Sequence, residues 1–272
     1  MALITISRQK GCGGIEIAEM VAKELAIELY DDAKLREEAL RLGLKADELK
    51  GFDTKAPGLF DRLLRNQPRL YLDLMASVIY EVAKRCHGVI IGHGSQKLLR
   101  DFDSALHVHI YGSPKKRIAR LMEQQRLSRE VAEKLISKSD NKRETYSRHV
   151  LHEDWNNPSL YDIIINRDKM SLDAAARIII EAARSEEIAN IGSKAAETME
   201  KLALLKRVEA EALKNNFNIN LFHIEVPERG IVHIWGYTKT QEEIVRLKNV
   251  VEQIPTVLSA KYDVAAMNID GD

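Results

Sequence analysis

The chain has 272 residues, 45% apolar and 30% charged, with 41 basic and 41 acidic side chains and a formal net charge of zero. That is a globular composition, sufficient for one large domain or two smaller ones, and its neutrality excludes the broad basic field of a nucleic-acid binder. No apolar run approaches the roughly 20 residues of a membrane span, and the amino end has neither the basic region nor the cleavage site of a secretory signal.

Ala2 to Ile6 is a short β-prone run. A polar, glycine-rich turn follows: Ser7, Arg8, Gln9, Lys10, Gly11, Cys12, Gly13 and Gly14. Ile17, Ala18, Val21, Ala22 and Leu25 then mark one face of a helix. Leu29 and Tyr30 end a second strand, closed by Asp31 and Asp32. A strand, a glycine loop and a helix leave main-chain N–H groups free at a helix N-terminus, where an anion binds without a dedicated cation. The spacing departs from both common phosphate patterns. Gly14 stands where a Walker lysine would follow Gly13, and Glu16 occupies the third glycine of the dinucleotide pattern. Asp31 and Asp32, about 20 residues past the loop, keep a nicotinamide reading open, and a tight turn without any ligand is the other alternative. Cys12 and Cys86 are the only cysteines and lie far apart, so no disulfide framework or CxxC metal site follows and a cytoplasmic setting is expected. Cys12 reads either as a redox-sensitive thiolate near a helix N-terminus or as a small packing residue.

Ala33 to Leu42 reads as a helix stopped by Gly43, residues 45–58 as a loop, 59–66 as a short helix, and Pro68 to Arg85 as a longer one. Gly88 to Gly92 has the profile of a buried parallel strand, followed by His93 and Gly94. Ala105 to Tyr111 is another strand. A basic helix then runs through Arg126, the next runs from Ser128 past Arg143 to His149, Leu160 to Ile165 is a strand, and Ser171 caps a helix to about Ala183. This alternation gives an α/β fold with a mostly parallel sheet covered on both faces. Ligands in such sheets sit beyond the carboxyl ends of the strands, where Ser7 to Gly14, Asp31, Asp32, His93 and Asn166 fall. The composition changes near residue 184. A polar stretch leads into a helix from Met199 to Leu213, strands Ile219–Val226 and Ile231–Tyr237, a helix Gln241–Gln253 and a strand Val257–Val264, an α-β-β-α-β unit.

Phosphoryl transfer needs cations around the transferred group. Arg117, Arg120 and Arg126 lie along one helix, and Lys138, Lys142, Arg143 and Arg148 along the next, with Asp140 and Arg143 at i, i+3. They read as a mobile lid closing on a triphosphate or as a solvated face with ordinary ion pairs. His107 and His109 share a strand face, but a third metal ligand is missing and no metal site is assigned. His93 is a compact polar group at a strand end.

Ile6-Ser7-Arg8-Gln9-Lys10-Gly11-Cys12-Gly13-Gly14-Ile15-Glu16-Ile17-Ala18 resembles the S-R-x-x-G-S-G-G-x-E-I-A loop of the cytidylate kinase-like family. Tyr30-Asp31 is similar to its second strand end, and Val89-Ile90-Ile91-Gly92-His93-Gly94 to its G-R-G segment. Ser139-Asp140-Asn141-Lys142-Arg143 and Tyr146 resemble its lid, and Asp154-Trp155, Pro158, Tyr161-Asp162 and Asn166 the stretch through its last strand. The match covers about residues 1–184. The resemblance implies a P-loop kinase fold and ATP- and Mg2+-dependent phosphorylation of a nucleoside monophosphate such as CMP or dCMP. It puts Ser7, Arg8, Lys10, Gly11, Cys12, Gly13 and Gly14 at the ATP phosphates and Asp31 and His93 toward the acceptor. Arg143, Asp140, Arg126 and Arg148 would steady the transferred group. Two positions depart from the family: Ile15, where a basic residue is common, and His93, where the family's arginine grips the acceptor phosphate. Arg8 and Lys10 would compensate for the missing lysine. The C-terminal unit is similar to a BON domain, through its hairpin, Gly236 and Ile254-Pro255-Thr256-Val257. The expected organisation is a kinase-like domain over 1–184, a linker over 185–195 and a BON-like domain over 196–272. A lipid or protein partner at the BON-like domain, no nucleic acid and a homo-oligomeric state are expected. The alternative is a catalytically degenerate nucleotide sensor.

Overall fold

The computed structural model describes residues 2–44, 67–103, 105–189 and 193–267; the loop and short helix expected at 45–66 lie outside them. In chain order the elements begin β1 (Leu3–Arg8), α1 (Gly14–Leu25), β2 (Leu29–Tyr30), α2 (Asp32–Arg41), α3 (Pro68–Ala83), β3 (Gly88–Ile91) and α4 (Ser95–Leu98). They continue β4 (Ala105–Tyr111), α5 (Pro114–Gln125), α6 (Arg129–His149), β5 (Ile163–Asn166), α7 (Leu172–Ala183) and α8 (Glu186–Ala189). The last are α9 (Ser193–Lys214), β6 (Phe222–Glu228), β7 (Ile231–Thr238), α10 (Gln241–Glu252) and β8 (Ser259–Ala266). Two compact units result, residues 1–56 with 85–192, and residues 57–84 with 193–272. No helix among the described residues is long and apolar enough to cross a membrane.

The first unit is the expected α/β architecture, a five-stranded parallel sheet in the order β2-β3-β1-β4-β5. Ile6 lies opposite Ile91 on one side and Val108 on the other, so the glycine loop leaves the sheet between β3 and β4. One face is apolar: Ile4, Ile6, Val89, Ile91, Val108 and Ile110 pack against α1 and α7. The other carries buried polar groups. Thr5 Oγ1 is 2.8 Å from His107 Nδ1, and Trp155 Nε1 donates to Ser7 Oγ at 2.7 Å. His109 is packed among Trp155, Tyr161 and Tyr111, and burial drives its pKa down to about 4. The two strand histidines are therefore sheet-packing groups. β5 starts later than expected because Pro158–Leu160 forms a 3-10 turn, with Asn157 accepting from the Ser159 N–H.

In the second unit β6 and β7 form an antiparallel hairpin and β8 joins β7 in parallel. Leu204, Val208, Phe222, Val232, Ile234, Leu247 and Val251 build its core. Helix α9 begins at Ser193, within the stretch read as a linker; Ala195 and Ala196 are strong helix formers. Helix α3, which the sequence reading placed inside residues 1–184, packs along α9 in this unit. Asp73 of α3 is 2% exposed; its Oδ1 is 3.2 Å from Lys206 Nζ, its Oδ2 is 4.0 Å from Arg69 Nε, and Glu209 also holds Lys206.

Burial pushes the Asp73 carboxyl up to about 6, only partly offset by Lys206. The ordinary aspartate value is near 3.9, so the folded chain binds this proton more tightly than the unfolded one. Asp73 thus favours the fold below about pH 4, and that contribution is lost as the pH rises through about 6. In denaturant titrations at pH 4.5 and 7.5, Asp73→Asn should flatten the stability difference between the two by about 2 kcal/mol; an unchanged difference contradicts it.

Candidate functional site

The turn after β1 is drawn tight by main-chain bonds, Gln9 N–H to Ile110 O at 2.9 Å and Cys12 N–H to Gln9 O at 3.3 Å. Gly11 and Gly13 have φ of 83° and 73°, the left-handed region that glycine enters without penalty. A Cβ on Gly11 would lie 2.9 Å from Arg117 O, and one on Gly13 would lie 2.5 Å from Leu172 Cδ2. Gly13 is the N-cap of α1 and offers no capping side chain. By contrast Asp31 caps α2 by accepting from Lys34 N–H at 2.9 Å, and Ser171 caps α7. The first amides of α1 therefore keep their donors and the positive end of the helix dipole for another anion.

Carboxylates and guanidinium groups surround this loop. Asp140, halfway along α6, accepts from the Lys10 N–H at 3.3 Å and from Arg117 Nη1 at 2.5 Å, with Arg143 Nη1 3.8 Å away. Arg117 is 5% exposed and also donates to the Lys10 and Gly112 carbonyls. Arg143 donates to Ser139 Oγ. Its pKa is lowered by burial, against the attraction of Asp140 and Asp32. Arg8 is crowded to the same effect: burial and the neighbouring Arg143 bring it down to about 9, with Asp32 pulling the other way. At the end of β3, His93 Nε2 lies 2.8 Å from Asp32 Oδ1. Gly92, His93 and Gly94 are all left-handed, at 76°, 56° and 74°. The two glycines take this conformation freely, so the strain falls on His93 alone, beside the cluster of charge. The Tyr146 hydroxyl donates to the His93 carbonyl at 3.2 Å, and Leu151 fills the space beside Gly94. These contacts fasten the C-terminal end of α6 to β3, so the half of the expected lid that bears Arg143 is anchored. On the far side of the loop Arg167, 5% exposed, donates from Nε to the Cys12 carbonyl at 3.1 Å, and Arg120 donates to the Arg167 carbonyl.

Of the residues singled out in the sequence, Arg8, Lys10, Gly11, Cys12, Gly13, Gly14, His93, Asp140 and Arg143 come together. The Ser7 hydroxyl faces the Trp155–Tyr161 side of the sheet and is 5% exposed. Asp31 is an exposed helix cap, and the adjacent Asp32 is the carboxylate that enters the site. Arg126 is exposed at the end of α5, and Arg148 is exposed and paired with Glu144. Asp32, Arg117 and Tyr146 were named in the sequence, at a strand end, in the basic helix and in the lid resemblance, but given no site role of their own, and Arg167 was given none. Two of these carried a signal. Arg117 is four residues before the buried Leu121 and shares its inward face, and the first of two aspartates before a helix is the natural cap.

Cys12 is fully buried, and burial pushes its thiol up to about 11, outweighing the pull of Arg117. This corrects the reactive-thiolate reading, since attack requires the thiolate. A chromogenic disulfide reagent should label half-buried Cys86 in the native protein and Cys12 only after denaturation; rapid native labelling of Cys12 contradicts this.

Residues 3–169 match the family model described as the cytidylate kinase-like family. No curated protein matches the chain. Among solved structures, a protein from Eubacterium ventriosum ATCC 27560 aligns at 24% identity over 66% of this chain and 97% of its own, with a TM-score of 0.53. Shikimate kinase from Bacteroides thetaiotaomicron aligns at 13% identity over 68% and 99%, with a TM-score of 0.42. A gluconokinase from Sinorhizobium meliloti 1021 aligns at 11% identity over 66% and 90%, with a TM-score of 0.41. The sheet order, the glycine loop at the end of the central strand and a family match over more than half of its length agree: the chain belongs to the cytidylate kinase-like family.

Proposed function

We propose that the chain transfers the terminal phosphoryl group of ATP to a nucleoside monophosphate, with CMP and dCMP the first acceptors to test. The observation that carries this reading is the uncapped N-terminus of α1 behind a left-handed glycine turn, ringed by Arg8, Arg117 and Arg143. The donor set fits a polyphosphate. The Lys10 N–H already holds a carboxylate, that of Asp140, so the loop receives an oxyanion of this kind. Gly11, Gly13 and Gly14 would present main-chain donors to the phosphates, and Arg143 would steady the transferred group. Asp32 and His93 stand at the acceptor end. Among the described residues no three His, Cys, Asp or Glu gather to hold a metal. Magnesium would therefore be held largely by phosphate oxygens, as is usual for this ion, with Asp32 and Asp140 the nearby carboxylates; when bound it would neutralise charge on the phosphates. A cytoplasmic setting goes with this reading.

A specific observation favours a second reading, a nucleotide sensor without turnover. His93, at the position of the family's acceptor-gripping arginine, is already engaged by Asp32. Its output would be the BON-like unit, whose sheet carries an open concavity of about 560 Å3 lined by His233, Trp235, Gly236, Tyr237, Asp263 and Ala265, where a lipid or protein partner would dock.

Coupled ADP release across a panel of monophosphates separates the two. Turnover with at least one acceptor, falling about 100- to 1,000-fold in Arg143→Ala, is expected for the enzyme. Saturable ATP binding with no release for any acceptor assigns the sensor.

A further inference from the structure

The cation that the glycine loop lacks stands on the strand before it. Gly14 occupies the place of the expected lysine, and the side chain of Arg8 lies against it. A Cβ on Gly14 would sit 2.6 Å from Arg8 Cβ and 2.7 Å from Arg8 Cγ. The arginine then extends to the end of β3, where a Cβ on Gly92 would sit 2.5 Å from Arg8 Nη1. Two glycines, one on each side, thus leave the channel that this one side chain fills. Its guanidinium makes no hydrogen bond to any described residue, and its electrostatic neighbours are Arg143, which repels it, and Asp32, which attracts it and already faces His93. A held guanidinium with its donors unspent, beside a second guanidinium, is arranged to take an oxyanion. The loop amides lie at the near end of Arg8 and the Asp32–His93 pair at its far end. The phosphate it meets is therefore the one farthest from the loop.

We propose that Arg8 grips the terminal phosphate of the bound nucleoside triphosphate in place of the loop lysine, and that Gly14 and Gly92 shape the channel for its side chain. This assignment rests on the nucleotide reading above. It makes a distinction that a structural role for Arg8 does not: contact with the terminal phosphate affects ATP and spares ADP.

The full-length wild-type protein and the Arg8→Gln and Arg8→Lys variants are titrated with ATP and with ADP, both with magnesium, by calorimetry. The expected result is an ATP affinity about tenfold or more weaker in Arg8→Gln, an ADP affinity within about threefold of wild type, and an intermediate ATP loss in Arg8→Lys. Equal weakening of both nucleotides, or an unchanged ATP affinity, overturns the assignment. Should Arg8→Gln fail to fold, the same comparison is made on Arg8→Lys, where selective ATP loss supports the assignment and equal loss overturns it. A wild-type protein that binds neither nucleotide overturns this assignment and the proposed function together; one that binds ATP while the ATP-to-ADP ratio ignores Arg8 overturns this assignment alone.

Discussion

The Asp140 carboxylate connects three segments that lie far apart in the sequence: the Lys10 amide in the glycine loop, Arg117 on α5 and Arg143 one turn further along α6. Without it, the neighbouring Arg8 and Arg143 would have Asp32 as the remaining carboxylate near them among the described residues, and Arg117 would lose its carboxylate partner. Like charges in a poorly solvated space raise one another's cost by about 1.4 kcal/mol for each pKa unit they shift. Asp140 therefore fixes where α6 can lie as well as balancing charge. Tyr146 repeats the attachment two turns on, through the His93 carbonyl. The loop, the end of β3 and the middle of α6 are one electrostatic assembly, and a polyphosphate entering it would meet cations that are already in place, so little reorganisation would be needed.

The strands of the first unit were legible for a simple reason. A parallel strand covered on both faces is mostly apolar, and Gly88 to Gly92 shows that as a short run between glycines, while β1 and β4 carry the buried polar exceptions Thr5, Ser7, His107 and His109. The loop was legible because Gly11 and Gly13 carry positive φ, a requirement written in residue type. Side-chain direction was less legible. Ser7 belongs to the loop in sequence, yet the alternation of β1 turns its hydroxyl to the Trp155 face. Arg117, Arg126, Arg143 and Arg148 look equivalent on a list of charges; helical phase and the attachment points of α6 separate the two inward ones from the two in solvent. Cys12 was ambiguous because a thiol near a helix N-terminus becomes reactive only if water reaches it, and burial here is a property of the packed fold.

The second unit shows a different limit. The pattern of α3 establishes an apolar helix, and nothing in that pattern names the surface it covers. Its partner, α9, is more than a hundred residues away in sequence. Composition shifts mark where one stretch of chain gives way to another, and so they suggest contiguous domains. A unit assembled from two stretches separated by strands of the other unit leaves no such mark. The Asp73–Lys206 contact is equally silent in the sequence, since a carboxylate on a helix face is ordinarily solvated.

Position 93 brings these points together. The family resemblance leads one to expect a guanidinium there, and a histidine is a shorter group with fewer donors and cannot replace it as a bidentate ligand. Yet a guanidinium does stand at this end of β3: that of Arg8, against Gly92, the residue next to His93. The space for it exists because residues 14 and 92 carry no side chains. His93, with its left-handed backbone and its carbonyl held by Tyr146, meanwhile faces Asp32. The positive charge of the site is thus carried from β1 across the loop, and its reach is set by one arginine's length rather than by the strand end. On the proposed reading, an acceptor there would meet an imidazole paired with a carboxylate in place of a guanidinium. On that reading, an acceptor would be selected more by hydrogen bonds to Asp32 and His93 than by the paired cations that two arginines would present.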